Sequence, residues 1–318
     1  MNIVVLDRQT LGPGIDLSPL EQVGRVTAYD LTSPEELPER IRDAEAIVCN
    51  KMKLNGANLA GAERLKLICV TATGFDCIDT AWCRERGIGV CNVPGYSTDS
   101  VAQLTLTMAL ALNAHLADYR NFVDSGDYSR SGVANRLAPV WHELKGMTWG
   151  ILGGGNIGRR VAELAEAFGC RVIMHRRKSD DRFCQVDLDT LCRESDILSI
   201  HVPLTEQTRG MISAEKIAMM KPGALLINVA RGAVCDENAL TEAVESGHLG
   251  GLGVDVFSVE PFPADHPYHR ILGRENVCLT PHMAWGSLEA RNRCIQVVGE
   301  NIRDFLRGGD LNRVEEVL

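Results

Sequence analysis

Three stretches in the second half of the chain pair a short apolar run with polar residues suited to chemistry. Arg231 follows "ALLINV" in "INVARGAVCDENAL", Asp255 and Glu260 fall in "GVDVFSVEP", and His282 ends the apolar part of "LTPHMAWGS". An arginine fork clamps a carboxylate bidentately. A histidine titrating near neutrality exchanges a proton with a hydroxyl or carbonyl oxygen. A glutamate bonded to that histidine favours its protonated form and fixes its tautomer. Singly, each residue also has an ordinary reading as a cap, a surface ion pair or a satisfied histidine. Together, at strand ends of one sheet that also holds a nucleotide site, they describe a hydride-transfer centre.

The nucleotide site is read from "ILGGGNIGRR", where Gly153, Gly155 and Gly158 give G-x-G-x-x-G. The pattern follows a predicted strand (149–152) and opens a predicted helix (156–168), the context that the physics requires. Gly153 permits the tight turn, Gly155 lets a pyrophosphate approach the backbone, and Gly158 lets helix and strand pack closely. About twenty residues on, such folds usually carry an acid for the ribose hydroxyls. Residues 167–179 contain no Asp or Glu; the strand "RVIMH" instead ends in His175, Arg176, Arg177 and Lys178. Arginine matches a phosphate bidentately, so this tip suits the 2′-phosphate of NADPH. A solvated basic loop, with NAD bound less selectively, is the alternative reading.

The elements that must position these residues alternate strand and helix. "NIVVL", "AIVC", "LKLICV" and "IGVCNV" read as strands before residue 95, with "SPEELPERIRDA" (Ser33 as N-cap, Pro34 in the first turn) and "DTAWCRERG" as helices. From Ser100, "VAQLTLTMALALNAHLADY" reads as one long helix, apolar nearly all round and so buried in domain or subunit packing. The alternation then restarts, with "WGIL", "RVIMH", "DILSI", "ALLINV", "GLGVDV" and "VCLT" as six strands. A last helix runs from Ser287 to Gly308, with Ile295, Val298, Ile302 and Phe305 on one face. Following a complete second domain, it is expected to pack back on the first.

The totals agree with that picture. At 318 residues, two domains are the default. With 45% hydrophobic and 24% charged residues the composition is that of a globular protein, and a net charge of −9 argues against binding nucleic acid. The N-terminal apolar run is too short for a signal peptide and no stretch reaches a membrane span, so cytoplasm is the expected location. Eleven cysteines, with no CxxC pair, read as small hydrophobes in a reducing compartment. Cys235 could alternatively be a redox-sensitive thiol. His266 and His269 in "HPYH" could suggest a metal pair; with no third ligand nearby they read as loop residues, and no metal is expected.

Along its whole length the chain resembles the D-isomer-specific 2-hydroxyacid dehydrogenase family, nearest its glycerate dehydrogenase and hydroxypyruvate reductase branch. "TATGFDCID", "NVPGYSTDSVAQ", "GILGGGNIGRRVAE", "HVPLTEQTRGMI", "NVARGAVCDENAL", "GVDVFSVEP" and "TPHMAWGS" fall in the family's order. The resemblance implies two doubly wound parallel-sheet α/β domains with a cleft between them. A discontinuous flavodoxin-like substrate domain would take 1–98 plus 285–318, and a Rossmann dinucleotide domain 99–284. It implies Arg231 as carboxylate anchor, His282 as acid/base, Glu260 as its partner, and the backbone at Thr73 and Gly74 beside the substrate. On the cofactor side it implies Asn156 and Ile157 at the pyrophosphate, Val202, Pro203 and Thr208 along the nucleotide, Val229 and Ala230 nearby, and Asp255 at the nicotinamide amide. It also implies a homodimer through the nucleotide domain. Arg176 departs from the Asp of NAD-dependent members, which bears on the cofactor. Lys51, ending an N-terminal strand, could reach the substrate; Trp285 would narrow the pocket or serve as core or dimer contact. The implied activity is NAD(P)H-dependent reduction of hydroxypyruvate or glyoxylate to the D-2-hydroxy acid. Alternatives are another 2-oxo acid (pyruvate or aromatic) and a non-catalytic, corepressor-like nucleotide sensor.

Overall fold

A computed structural model describes residues 1–177 and 182–315; Lys178 lies outside the described residues. The chain divides into two compact units, Met1–Ser97 with Trp285–Leu318, and Thr98–Ala284.

The first unit is built on a five-stranded, all-parallel sheet. Its strands are β1 (Asn2–Val5), β2 (Arg25–Ala28), β3 (Ala46–Cys49), β4 (Leu67–Val70) and β5 (Gly89–Cys91), in the order β2-β1-β3-β4-β5. β2 escaped the sequence reading because it is an edge strand, mostly exposed, with a single branched apolar residue in "RVTA". The helix Leu288–Leu306 closes one face through Ala290, Cys294, Ile295, Val298 and Ile302. Its first turn is capped by Ser287. The expected helix at 33–44 is shorter, Leu37–Ile41. Ser33 and Glu36 still exchange side-chain-to-backbone bonds, but around a turn that precedes it.

The second unit carries seven parallel strands: β6 (Thr148–Leu152), β7 (Arg171–His175), β8 (Cys184–Gln185), β9 (Ile197–Ile200), β10 (Ala224–Asn228), β11 (Leu249–Val254) and β12 (Val277–Leu279). Their order is β12-β11-β10-β9-β6-β7-β8, so strand order reverses at β6. β8, two residues long, gives no periodic signal and was not foreseen. The long helix expected from Ser100 is two: Thr98–Asn113 and Leu116–Asp124, bent by 61°. His115 breaks it at φ 49°, a left-handed conformation that costs about 1 kcal/mol or more outside glycine. Two bonds to a later loop hold that break: Asn113 Nδ2 to the carbonyl of His142 (2.6 Å) and the His115 ring to that of Val140 (3.1 Å). Apolar periodicity runs straight through the bend, so only these long-range bonds reveal it.

Candidate active site

Register places the chemistry. Leu279, Val254, Asn228, Ile200, Leu152 and His175 lie side by side across β12, β11, β10, β9, β6 and β7. All are at or next to the carboxyl ends of their strands. His282 follows this row by three residues, Asp255 by one, Arg231 by three, Val202 and Pro203 by two and three, and Gly153 and Arg176 by one. Residues scattered from 153 to 282 are therefore brought to one edge of one sheet, where parallel α/β folds bind ligands.

At the switch point between β6 and β9, Gly153 takes φ +103° against the backbone of His201, and a side chain would meet that backbone at 2.8 Å. Gly158 allows closer approach still: a Cβ there would lie 1.9 Å from the carbonyl oxygen of Gly153. The helix Asn156–Ala167 thus starts hard against β6. Gly155 is its N-cap and supplies no capping side chain, and the first turn holds no acid. That end keeps the positive field of the helix dipole. Val202 packs on the sheet core, and Thr208 donates to the carbonyl of Pro203 (2.6 Å), which closes the loop after β9. The Arg176 side chain crosses Gly154, whose missing Cβ would meet its Cδ at 2.6 Å. Arg159 donates from Nε to the carbonyl of the same Gly154 (3.2 Å), so two guanidinium groups converge on one loop. His175 turns to the carbonyl of Val186 (3.0 Å), and Arg177 is exposed.

Beyond β10, Asn228 is buried and bonds both sides of a turn: its Oδ1 accepts from the amide of Ala230 (3.0 Å) and its Nδ2 donates to the carbonyl of Arg231 (3.0 Å). Val229 is buried, and Ala230 and Arg231 are partly so. Gly232 has no room for a Cβ, which would lie 2.1 Å from the Phe257 carbonyl carbon and 2.2 Å from the Ser258 nitrogen. The loop carrying Arg231 and the loop carrying Glu260 are thereby pressed together.

His282 stands at φ +52°, and its amide donates to the carbonyl of Asp255 (2.8 Å). The Asp255 carboxylate, wholly buried, accepts from the amides of Met283 and Ala284 (2.9 Å each) and from the Thr280 hydroxyl. Burial raises its pKa above the usual carboxylate range, and the three donors oppose that rise. Asp255 thus holds the turn that presents His282. The ring meets Glu260 through Nδ1 at 2.6 Å, and Glu260 also accepts the amide of Phe257 (3.0 Å). An ionised carboxylate at Nδ1 makes that nitrogen the donor, which leaves Nε2 as the ring nitrogen able to exchange a proton. Both side chains stay about a quarter exposed, 23% for His282 and 29% for Glu260.

In the first unit, the buried Asp7 carboxylate accepts the amides of Lys51 (2.8 Å), Asn50 (3.0 Å) and Met52 (3.4 Å). This fixes the loop after β3 and leaves the Lys51 side chain exposed. Burial raises the pKa of Asp7, against those amides. Thr73 donates to the carbonyl of Val93 (2.9 Å) and accepts at its own carbonyl from Asn92 (2.7 Å), which shapes the turn into Gly74. Trp285 packs edge-on to Tyr96 (6.3 Å between ring centroids) at the margin of this unit's core.

Residues 106–284 match the family model described as D-isomer specific 2-hydroxyacid dehydrogenase, NAD binding domain. The hydroxypyruvate reductase of Blautia hydrogenotrophica is 33% identical over 99% of this chain and 100% of its own length. The glycerate dehydrogenase of Methylorubrum extorquens is 35% identical over 98% of both chains. Among solved structures, the D-lactate dehydrogenase from Aquifex aeolicus complexed with NAD and lactic acid superposes with a TM-score of 0.86, at 31% identity and full coverage of both chains. The chain belongs to the D-isomer-specific 2-hydroxyacid dehydrogenase family.

A nicotinamide dinucleotide is the cofactor of this family's NAD-binding domain, and the glycine loop fits one. A Cβ added at Gly155 would meet no atom within 4 Å, so open space lies over the uncapped helix start where a pyrophosphate would sit. The dehydrogenase's remaining candidates are inert or structural. Among the described residues no three His, Cys, Asp or Glu groups gather as metal ligands. His266 is bonded to Glu237 (3.0 Å) and His269 to the carbonyl of Pro263 (3.1 Å). Cys235 is buried, and burial pushes its thiol up, away from reactivity. Sequence reasoning missed Asn228, Gly232, Asp7 and Arg159. A polar Asn closing the buried run "ALLIN" was a usable signal for the first; the others act through contacts that no local pattern encodes.

Proposed function

We propose that the chain is an NADPH-preferring reductase of small 2-oxo acids, acting best on hydroxypyruvate and glyoxylate and yielding D-2-hydroxy acids. The observation that carries this reading is the single row of strand ends from which Arg231, Asp255, His282 and the glycine loop all emerge. Arg231 holds the substrate carboxylate with its planar fork. His282, protonated, gives its Nε2 proton to the carbonyl oxygen. Glu260 keeps the ring oriented and stabilises its positive form. The nicotinamide, when bound, supplies the hydride. Asn156, Ile157, Val202, Pro203, Thr208, Val229 and Ala230 line the nucleotide, with Asp255 holding the turn beside it. Relatives named hydroxypyruvate reductase and glycerate dehydrogenase support the substrate class. The preference for NADPH rests on Arg176 and Arg159 meeting at Gly154.

The test is kcat/KM for hydroxypyruvate, glyoxylate, pyruvate and phenylpyruvate with each cofactor. Hydroxypyruvate and glyoxylate should lead and phenylpyruvate should trail; phenylpyruvate in front overturns the substrate class. Arg176→Asp should weaken NADPH far more than NADH, because it removes a phosphate partner and adds a like charge. Wild-type preference for NADH would refute the NADPH reading alone.

We also propose a homodimer through the second unit. The support is not the helix after Ser100, whose Val101, Ala102, Thr105, Met108, Ala109 and Leu112 are buried within that unit. It is the segment that follows, where Leu116, Val123, Val133, Leu137 (80% exposed), Val140 and Trp141 face outward. Sedimentation of Leu137→Glu should show monomer if this surface pairs.

A further inference from the structure

Glu237 lies buried on the helix Glu237–Glu245, six residues past Arg231, and no step above uses it. One oxygen, Oε1, accepts the amide of Ser258 at 2.9 Å. The other, Oε2, accepts both the Ser258 hydroxyl and the His266 ring, the latter at 3.0 Å. His266 Nδ1 accepts the amide of Tyr268 (3.3 Å), so the ring's proton sits on Nε2 and is donated to Glu237. The neighbouring amide, that of Phe257, goes to Glu260 instead. Two successive amides of one short loop are thus divided between two glutamates, one buried and one at the reacting histidine. Gly232 lies against the same two residues, and Phe257 stacks edge-on with Phe262 (4.8 Å) and Tyr268 (6.0 Å).

We infer that Glu237, with His266 behind it, is a positioning residue for the reduction: it fixes Ser258 and thereby the Phe257 amide and the Glu260 carboxylate that orients His282. This rests on the reading of Glu260 and His282 as the acid–base pair. A buried carboxylate with three donors is a stiff anchor, because each lost bond leaves a desolvated group unpaired. Displacing a reacting group by about 1 Å costs as much as 10² in rate, with little effect on ground-state binding.

The test is a mutant cycle with glyoxylate and NADPH. Glu237→Ala should lower kcat about 10- to 100-fold. The KM for glyoxylate and the Kd for NADPH, read by fluorescence titration, should stay within about twofold. Glu237→Gln retains an oxygen for the Ser258 amide and should keep kcat within about fivefold of wild type. In a Glu260→Gln background, Glu237→Ala should add about twofold or less, because its effect passes through Glu260. Wild-type kcat in Glu237→Ala, or losses that multiply in full, overturn the inference. If Glu237→Ala does not fold, Ser258→Ala enters the same cycle: a loss absorbed by Glu260→Gln supports the inference, and an absent or fully multiplied loss overturns it. Wild-type turnover in Glu260→Gln would remove the acid–base pair itself and the inference with it. A silent Glu237→Ala beside an impaired Glu260→Gln strikes the inference alone.

Discussion

Two glutamate–histidine pairs stand in one domain, 22 and 29 residues apart in sequence, and their surroundings give them different work. Glu260 and His282 meet at 2.6 Å with side chains 29% and 23% exposed. Glu237 and His266 meet at 3.0 Å with side chains 9% and 4% exposed. In the buried pair each ring nitrogen has a protein partner, Glu237 on one side and the Tyr268 amide on the other. That histidine serves as a strut. In the exposed pair the carboxylate takes Nδ1 and sets the tautomer, and the ring reaches the surface at the end of a sheet. An identical pair of residue types is a buried brace in one place and, in the proposed function, an acid–base pair in the other.

The largest effect expected follows from that contrast. His282→Ala removes a positioned acid and should lower kcat by about 10²–10⁴, whereas His266→Ala should cost about tenfold. The latter should also lose about 1–3 kcal/mol of stability, since Glu237 is left short of a donor in the interior. Stopped-flow kinetics and urea melts of both variants measure the difference; equal kinetic losses would erase the distinction between the pairs.

Glu260→Gln should act next in size, lowering kcat about tenfold or more. The KM for glyoxylate should stay within about twofold, because the pair acts on the transition state rather than on ground-state binding. A kcat unchanged from wild type would remove Glu260 from the acid–base pair.

A third histidine sharpens the comparison, because its partner is a serine rather than a carboxylate. His201, next to Gly153, bonds Ser199 through Nε2 (2.9 Å), while Nδ1 is buried with no protein partner. Burial depresses its pKa from 6.5 to about 3. The folded protein therefore keeps this ring neutral while the unfolded chain takes up a proton below about pH 6.5. Stability is fully present above that pH and falls on the way to pH 3, by on the order of 1.4 kcal/mol per unit at most. Urea midpoints across that window should be flatter for His201→Gln; an identical pH dependence would show that other groups carry the acid sensitivity.

Much of this was legible in the chain. Runs such as "ALLINV" and "GLGVDV", fully buried on both faces, read directly as central parallel strands. The spacing of Gly153, Gly155 and Gly158 announced the phosphate loop, and Arg231, Glu260 and His282 stood out as polar residues at strand ends. What failed was local and weak, or distant. β2 and β8 lack an apolar pattern because edge strands need none. The bend at His115 depends on carbonyls 25 to 29 residues away.

By itself, then, the sequence determined the fold class, the nucleotide loop and the residue types available for hydride transfer, because hydrophobic period and backbone-limited glycines are local properties. Only the tertiary structure decided what each histidine touches. The strand end before His282 marked it as the acid–base candidate and His266 read as a loop residue, but no local pattern announced that Glu237 would bond His266. Those partners, and the deeper burial of the Glu237–His266 pair, come from chain segments that meet only once the sheet has formed.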